Sequence, residues 1–190
     1  MENIAIVGVA QTQYDSRKKD KTCFDLVYEM TCAALHDAGM TIDDIDNVVT
    51  VSNDFMDGRT ISSMAVGDAA GAYDKNISTV EGDGTFGAFY GAMRVLGGAG
   101  TTLVVVHSKG SEGDINMITN GMFDPVYQRH LGLDAISSSA IQANAYMHRH
   151  GTTEEDLAAV SVKNHANAKN NPYAHLPMDL PIEDVMGSPK

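Results

Sequence analysis

The 190 residues carry 25 acids against 13 Lys and Arg, a net charge of −12, and 43% of them are hydrophobic. That is long and apolar enough for a sizeable core, and too acidic for nucleic acid or an anionic membrane as the main partner. The start, Met1-Glu2-Asn3-Ile4, lacks the basic and apolar blocks of a signal peptide. No apolar run approaches the ~20 residues of a membrane span, so a cytoplasmic protein without a membrane partner is expected.

In chain order, Ile4–Val9 reads as a short apolar strand, followed by a polar loop carrying Arg17, Lys18 and Lys19. A helix opens at Thr22, where Thr22 and Asp25 have capping-box spacing. Its apolar stripe is Cys23, Val27, Met30, Ala34 and Ala38, and Gly39 is placed to end it. A second strand is expected at Asn47–Val51, a helix at Ser62–Ala72 and a third strand at Ile77–Val80. After the turn Glu81-Gly82-Asp83-Gly84 comes a helix, 85–96, apolar nearly all round, then a strand at Leu103–Val106. A helix of that composition is expected to be buried. Its glycines, each costing about 1 kcal/mol of helix propensity, imply a close backbone neighbour.

The alternation indicates an α/β layered domain with a largely parallel sheet. Beyond Lys109 the pattern changes. Residues 110–133 show no period; helices are expected at 135–150 and 152–169, the second with a capping box at Thr152 and Glu155, and 173–190 reads as extended. The division is therefore 1–109 as the α/β core and 110–190 as a helical loop lobe with a return segment.

Ligands of open α/β sheets bind beyond the carboxyl ends of the strands, where helices begin. The turn 81–84 occupies such a place, so the amides of the following helix offer donors and a positive partial charge to an oxyanion or thioester carbonyl. Asp83 is the ionisable group there; it is either a helix cap or part of a site. His107, at the end of the fourth strand, is either a site residue or a structural histidine. Cys23 and Cys32 share one helix nine residues apart, a rotation of about 900°, so they face opposite ways and read as unpaired structural thiols. No histidine spacing suits a metal, so none is expected, and neither the Walker pattern nor a dinucleotide fingerprint is present.

Several segments together carry a family likeness. They are IAIVGVAQTQY, DAGMTIDDIDNVV, the unit 77–109, YMHRHGTTEEDLAAVSVKNHANAKNNPYAH and PIEDVMGSP. With them the chain resembles the N-terminal half of the thiolase superfamily, most closely the sterol-carrier-protein-x type. The resemblance implies a thiolase-like layered half, a mixed and largely parallel five-stranded sheet with a buried central helix, plus the helical loop lobe. It implies carbon–carbon bond making or breaking next to a coenzyme A thioester, of acyltransferase or aldolase type, with acyl-CoA as substrate and no covalently bound cofactor. It also implies a second half that meets the first through central helices, and in some relatives a partner carrying a zinc ribbon and an OB fold.

The family nucleophile is a cysteine at the start of the central helix, and here Gly84 stands in that position. On this reading Asp83, Gly84 and His107 are the catalytic candidates, and Gly82, Thr85 and Gly87 the substrate-binding ones. Three readings remain open: a subunit completed by a separate C-terminal-half thiolase chain, a non-catalytic acyl-CoA-binding or scaffolding half of a heteromeric complex, and a piece of a longer enzyme. All three expect the chain never to be a monomer, whether through a C-terminal-half subunit, a homo-oligomer or both.

Overall fold

Three short runs rich in β-branched residues make the sheet of the computed structural model, which describes residues 3–188. They are β1 (Asn47–Ser52), β2 (Asn76–Glu81) and β3 (Thr102–Val106). All pair in parallel in the order β2-β1-β3, with Val48 opposite Ile77 on one side and Leu103 on the other. Every residue of β1 is buried.

The helices of this sheet are α1 (Cys23–Ala38), α2 (Ser63–Ala69) and α3 (Gly84–Leu96). The crossover through α2 runs from β1 to β2, and that through α3 runs back past β1 to β3. Opposite directions with the same right-handed sense put the two helices on opposite faces. Val27 of α1 and Val66 and Ala70 around α2 pack with Ile45, Val48 and Val105 into the core on one face. On the other face α3 lies against Val51 and Val104.

Small residues make that second contact possible. A Cβ at Gly87 would stand 2.5 Å from Val51 Cγ2, and one at Gly91 2.5 Å from Val104 Cγ2. These two are the buried residues of α3. Its outer face is open, with Phe86 61%, Phe89 67% and Met93 48% exposed. The helix is therefore covered on one side in this chain and open on the other.

Two expectations change. Ile4–Val9 forms no strand: it lies along α1, where a Cβ on Gly8 would sit 2.5 Å from the Ala34 carbonyl oxygen, and the Val9 amide donates to Asp37 Oδ2 at 2.8 Å. An apolar run of six becomes a strand only beside a free edge, and this one is held by a helix instead. The sheet accordingly has three strands among the described residues, not five. The α/β layered class itself stands.

Thr22 and Asp25 form the expected capping box of α1, and Gly39 ends that helix in the left-handed conformation (φ 66°). Cys23 is buried and Cys32 exposed, both unpaired.

The chain divides into two compact units. One comprises Arg17–Ile118 with the segment up to Thr12; the other comprises Gln13–Ser16 with the residues from Thr119 on. Irregular stretch 110–133 holds two 3-10 turns and a short helix, α4 (Ile115–Asn120). The second unit contains α5 (Ala135–His150), α6 (Glu154–Ala168) and α7 (Ile182–Met186). The expected extended tail thus includes one short helix. α6 starts one residue later than its sequence suggests, because TTEED holds two capping frames. The box that forms is Thr153 with Asp156, whose Oδ2 accepts from the Thr153 amide at 2.8 Å. α7 packs on α6, and Lys169 pairs with Asp179. No helix among the described residues is long and apolar enough to cross a membrane.

Candidate functional site

The turn between β2 and α3 is built from its backbone outward. Gly82 holds φ 138°, which L side chains rarely adopt, and its amide donates to the Ser52 carbonyl at 3.2 Å. The chain is thereby pinned to the end of β1 before α3 begins. Asp83 is extended and caps the helix, its Oδ1 accepting from the amides of Thr85 at 2.9 Å and Phe86 at 3.3 Å. The Asp83 carbonyl accepts from the Gly87 amide at 3.1 Å.

Of the first amides of α3, those of Thr85, Phe86 and Gly87 are thus spent within the turn and helix. The Gly84 amide has no partner among the described residues. Gly84 also has room: a Cβ there would meet only Val106 Cγ2, at an ordinary 3.7 Å.

The six sequence candidates do not form one cluster. Gly82, Asp83, Gly84 and Thr85 make the turn. Gly87 faces the sheet, where its lack of a side chain serves packing. His107 lies on the other side. Its amide continues the ladder by donating to the Val51 carbonyl at 3.0 Å, so side chains still alternate. That sets His107 with Leu103 and Val105, which face α1 and α2, and away from Val104 and Val106 on the α3 side.

There His107 is 8% exposed, and neither ring nitrogen has a hydrogen-bond partner among the described residues. Burial pushes its pKa below the ordinary imidazole value, against the pull of Asp57 and Asp54, and Arg59 adds to the lowering.

Around His107 is a polar cluster that the sequence reading did not single out. Asp57, 4% exposed, accepts from Ser108 Oγ at 2.7 Å and from the Lys109 amide at 3.1 Å. Asp54 accepts from Ser52 Oγ at 2.7 Å and from the Ser62 amide at 2.8 Å. Burial alone would raise the Asp54 pKa, but the bonds from Ser62 and Ser52 outweigh it and hold the carboxyl low. Glu112 pairs with both Lys109 and Arg59. The Cys23 thiol is pushed up by burial, so it stays protonated at neutral pH and is a poor nucleophile. The one signal available in the sequence was the density of Asp and Ser after β1, which also reads as an ordinary loop.

No group of three or more His, Cys, Asp or Glu side chains able to hold a metal occurs among the described residues.

A parallel sheet with a capped, glycine-rich helix at the carboxyl end of β2 defines an α/β domain whose donor-bearing turn is the one ending at Gly84. Comparison with known proteins narrows the class. The chain is 31% identical over 196 residues to the acetyl-CoA acetyltransferase of Methanothermobacter thermautotrophicus, an alignment covering 99% of this chain and 51% of that protein. It is 27% identical over 200 residues to the 17-hydroxy-3-oxo-4-pregnene-20-carboxyl-CoA lyase of Mycobacterium tuberculosis, covering 97% of this chain and 50% of the other. Among solved structures it resembles the Ltp2-ChsH2(DUF35) aldolase with a TM-score of 0.72 and 25% identity, over 98% of this chain and 49% of that one. No protein-family model matches the chain. The chain thus resembles a thiolase-like half, and it spans about half the length of these relatives.

Proposed function

We propose that this chain is the first half of a thiolase-like enzyme that makes or breaks a carbon–carbon bond next to a coenzyme A thioester, completed by a second half on another chain. The observation that carries the reading is the turn 82–85, an open amide at the start of a central helix with no thiol beside it. The unpartnered outer face of α3, with Phe86, Phe89 and Met93, supports a second half, since apolar faces of this kind mark association surfaces.

Chemistry without an acyl-cysteine favours the aldolase direction over acyl transfer. A base removes the hydroxyl proton of a β-hydroxyacyl thioester. The carbon–carbon pair then moves to the α carbon, a ketone or aldehyde leaves, and the thioester enolate is protonated. The Gly84 amide is the donor this chain would offer to the enolate oxygen. Asp83 holds the turn, with one carboxylate oxygen occupied by two helix amides. Base and acid then come from the completing half. A cytoplasmic location and a further zinc-ribbon partner belong to the same reading.

The test is copurification of the chain with its neighbouring gene product, followed by assays for aldol cleavage and for CoA release. Cleavage of a β-hydroxyacyl-CoA by the complex supports the proposal. Thiolytic CoA-dependent acyl transfer by the complex sinks the aldolase direction.

The vacant nucleophile position at Gly84 also favours a second reading, a non-catalytic acyl-CoA-binding or scaffolding half. Calorimetry showing tight acetyl-CoA binding, with no turnover of any thioester by the complex, would select it.

A further inference from the structure

A buried imidazole with two idle nitrogens beside two carboxylates is costly unless something offsets it. His107 is in that position. Its surroundings tie together three parts of the first unit. Asp57, on the loop after β1, takes Ser108 and the Lys109 amide from the loop after β3. Lys109 Nζ donates to the Lys21 carbonyl at 2.6 Å, just before α1, and pairs with Glu112, which also holds Arg59. The groups acting on the imidazole are Asp57, Asp54 and Arg59. Cys23 of α1, Lys109 and Glu112 share the same surroundings through Asp57 and Arg59.

We propose that His107 and Asp57 form an acid-opened latch that holds the loop after β1 against the loop after β3.

Near neutral pH the imidazole is uncharged, and Asp57 keeps both oxygens on its two donors. Protonation puts two charged N–H donors into a pocket that offers them no acceptor. Asp57 must then turn from Ser108 and Lys109 toward the ring, or water must enter between them. Either event breaks the tie between the loops.

Ser52 makes the opening felt at the α3 turn. Its hydroxyl donates to Asp54 at 2.7 Å and lies 3.2 Å from Ser62 Oγ, while its carbonyl accepts from the Gly82 amide at 3.2 Å. One residue thus belongs both to the cluster around His107 and to the turn that presents Gly84.

The sign follows from linkage. A histidine whose folded pKa is lowered binds its proton more readily once the latch is open. Closure is therefore fully favoured above the ordinary imidazole value of about 6.5 and weakens as pH falls from there to the folded value. Across that window the open fraction rises as pH falls, by up to about tenfold per pH unit.

The experiment is amide hydrogen exchange on the full 190-residue chain above and below that value, corrected for intrinsic exchange, with His107→Gln alongside. The expected result is that wild-type amides in 53–62, 107–113 and at Gly82 lose protection in acid by the stated factor while those of α5 do not. In His107→Gln the loss disappears. An equal acid loss in His107→Gln, or none in the wild type, overturns the proposal. Should the variant fail to fold, NMR titration of the wild-type His107 ring decides: an imidazole titrating at or above about 6.5 refutes it.

Discussion

Gly87 offers the sharpest test of how α3 meets the sheet. A Cβ there would lie 2.5 Å from Val51 Cγ2, 3.2 Å from Val104 Cγ1 and 3.5 Å from Val51 Cβ. The first distance is one that real atoms do not hold, and Val51 is a fully buried side chain in the central strand with little freedom to retreat. Gly87→Ala therefore overpacks the interface, at about 1–3 kcal/mol, set against about 1 kcal/mol of helix propensity gained. The net loss expected is about 1 kcal/mol. Val51→Ala alone removes buried apolar surface and leaves a cavity, at about 2 kcal/mol. The double variant is where the geometry speaks, because deleting the valine methyls makes room for the new one. Its destabilisation should fall short of the sum of the singles by about 1 kcal/mol or more. Urea unfolding followed by far-ultraviolet circular dichroism, at fixed protein concentration, measures all four corners of the cycle. Additivity within about 0.5 kcal/mol would mean that α3 does not sit on Val51 through Gly87.

Three other outcomes follow from the same geometry. Gly84→Cys should fold with unchanged secondary structure, since the nearest contact to its Cβ is an ordinary 3.7 Å. Its thiol, at a helix start, should alkylate faster than that of a denatured control, as read by mass spectrometry. Asp83→Ala should lose about 1 kcal/mol of stability by removing the cap, whereas Asp83→Asn, which can still accept from the Thr85 and Phe86 amides, should lose much less. Equal losses would show that the cap is not what the carboxylate contributes. The capping carboxyls Asp25, Asp134 and Asp156 are held below the ordinary carboxylate value chiefly by the backbone amides of Thr22, Ser137 and Thr153. Their contribution is present above about pH 3.8 and is lost as pH falls through their lower folded values, so helix content should hold to about that pH and fall below it.

Local chemistry was readable wherever one residue type has one use. Thr22 with Asp25 and Gly39 bracket α1 as expected, because a capping box and a left-handed glycine leave few alternatives. The same logic slipped by one residue at TTEED, where two frames satisfy the same pattern and only the structure selects Thr153. Ile4–Val9 defeated the reading for a different reason. The run stays largely exposed, with Ile6 82% and Val9 68% open to solvent, and what fixes it is the contact of Gly8 with Ala34 and Ala38, 26 and 30 residues further along the chain. His107 was found as a candidate, either a site residue or a structural histidine, without the face of the sheet that carries it. It and the α3 turn both lie at the carboxyl end of the sheet, but the pleat sends one side chain to each face, and a register argument could have separated them once the ladder continued to Val51.

The glycines of α3 carried two meanings that the sequence could not divide. Gly87 and Gly91 are required by Val51 and Val104, while Gly84 is not required by anything it touches. That contrast matters for function. A glycine kept for packing predicts loss of fold on substitution, but a glycine in open space at a helix start is a place where a side chain is dispensable and an amide is exposed. In a thiolase-like chain the absence of a thiol at Gly84 is therefore not a steric necessity of this fold. The position has room for a side chain and carries none, which on the proposed reading favours a reaction in which that place receives an oxyanion and forms no bond to carbon. The outward face with Phe86, Phe89 and Met93 then has a second task. Water at that face would compete for the open amide and weaken it as a donor. On the proposed reading, a second half that covers those rings would make the Gly84 amide a stronger donor.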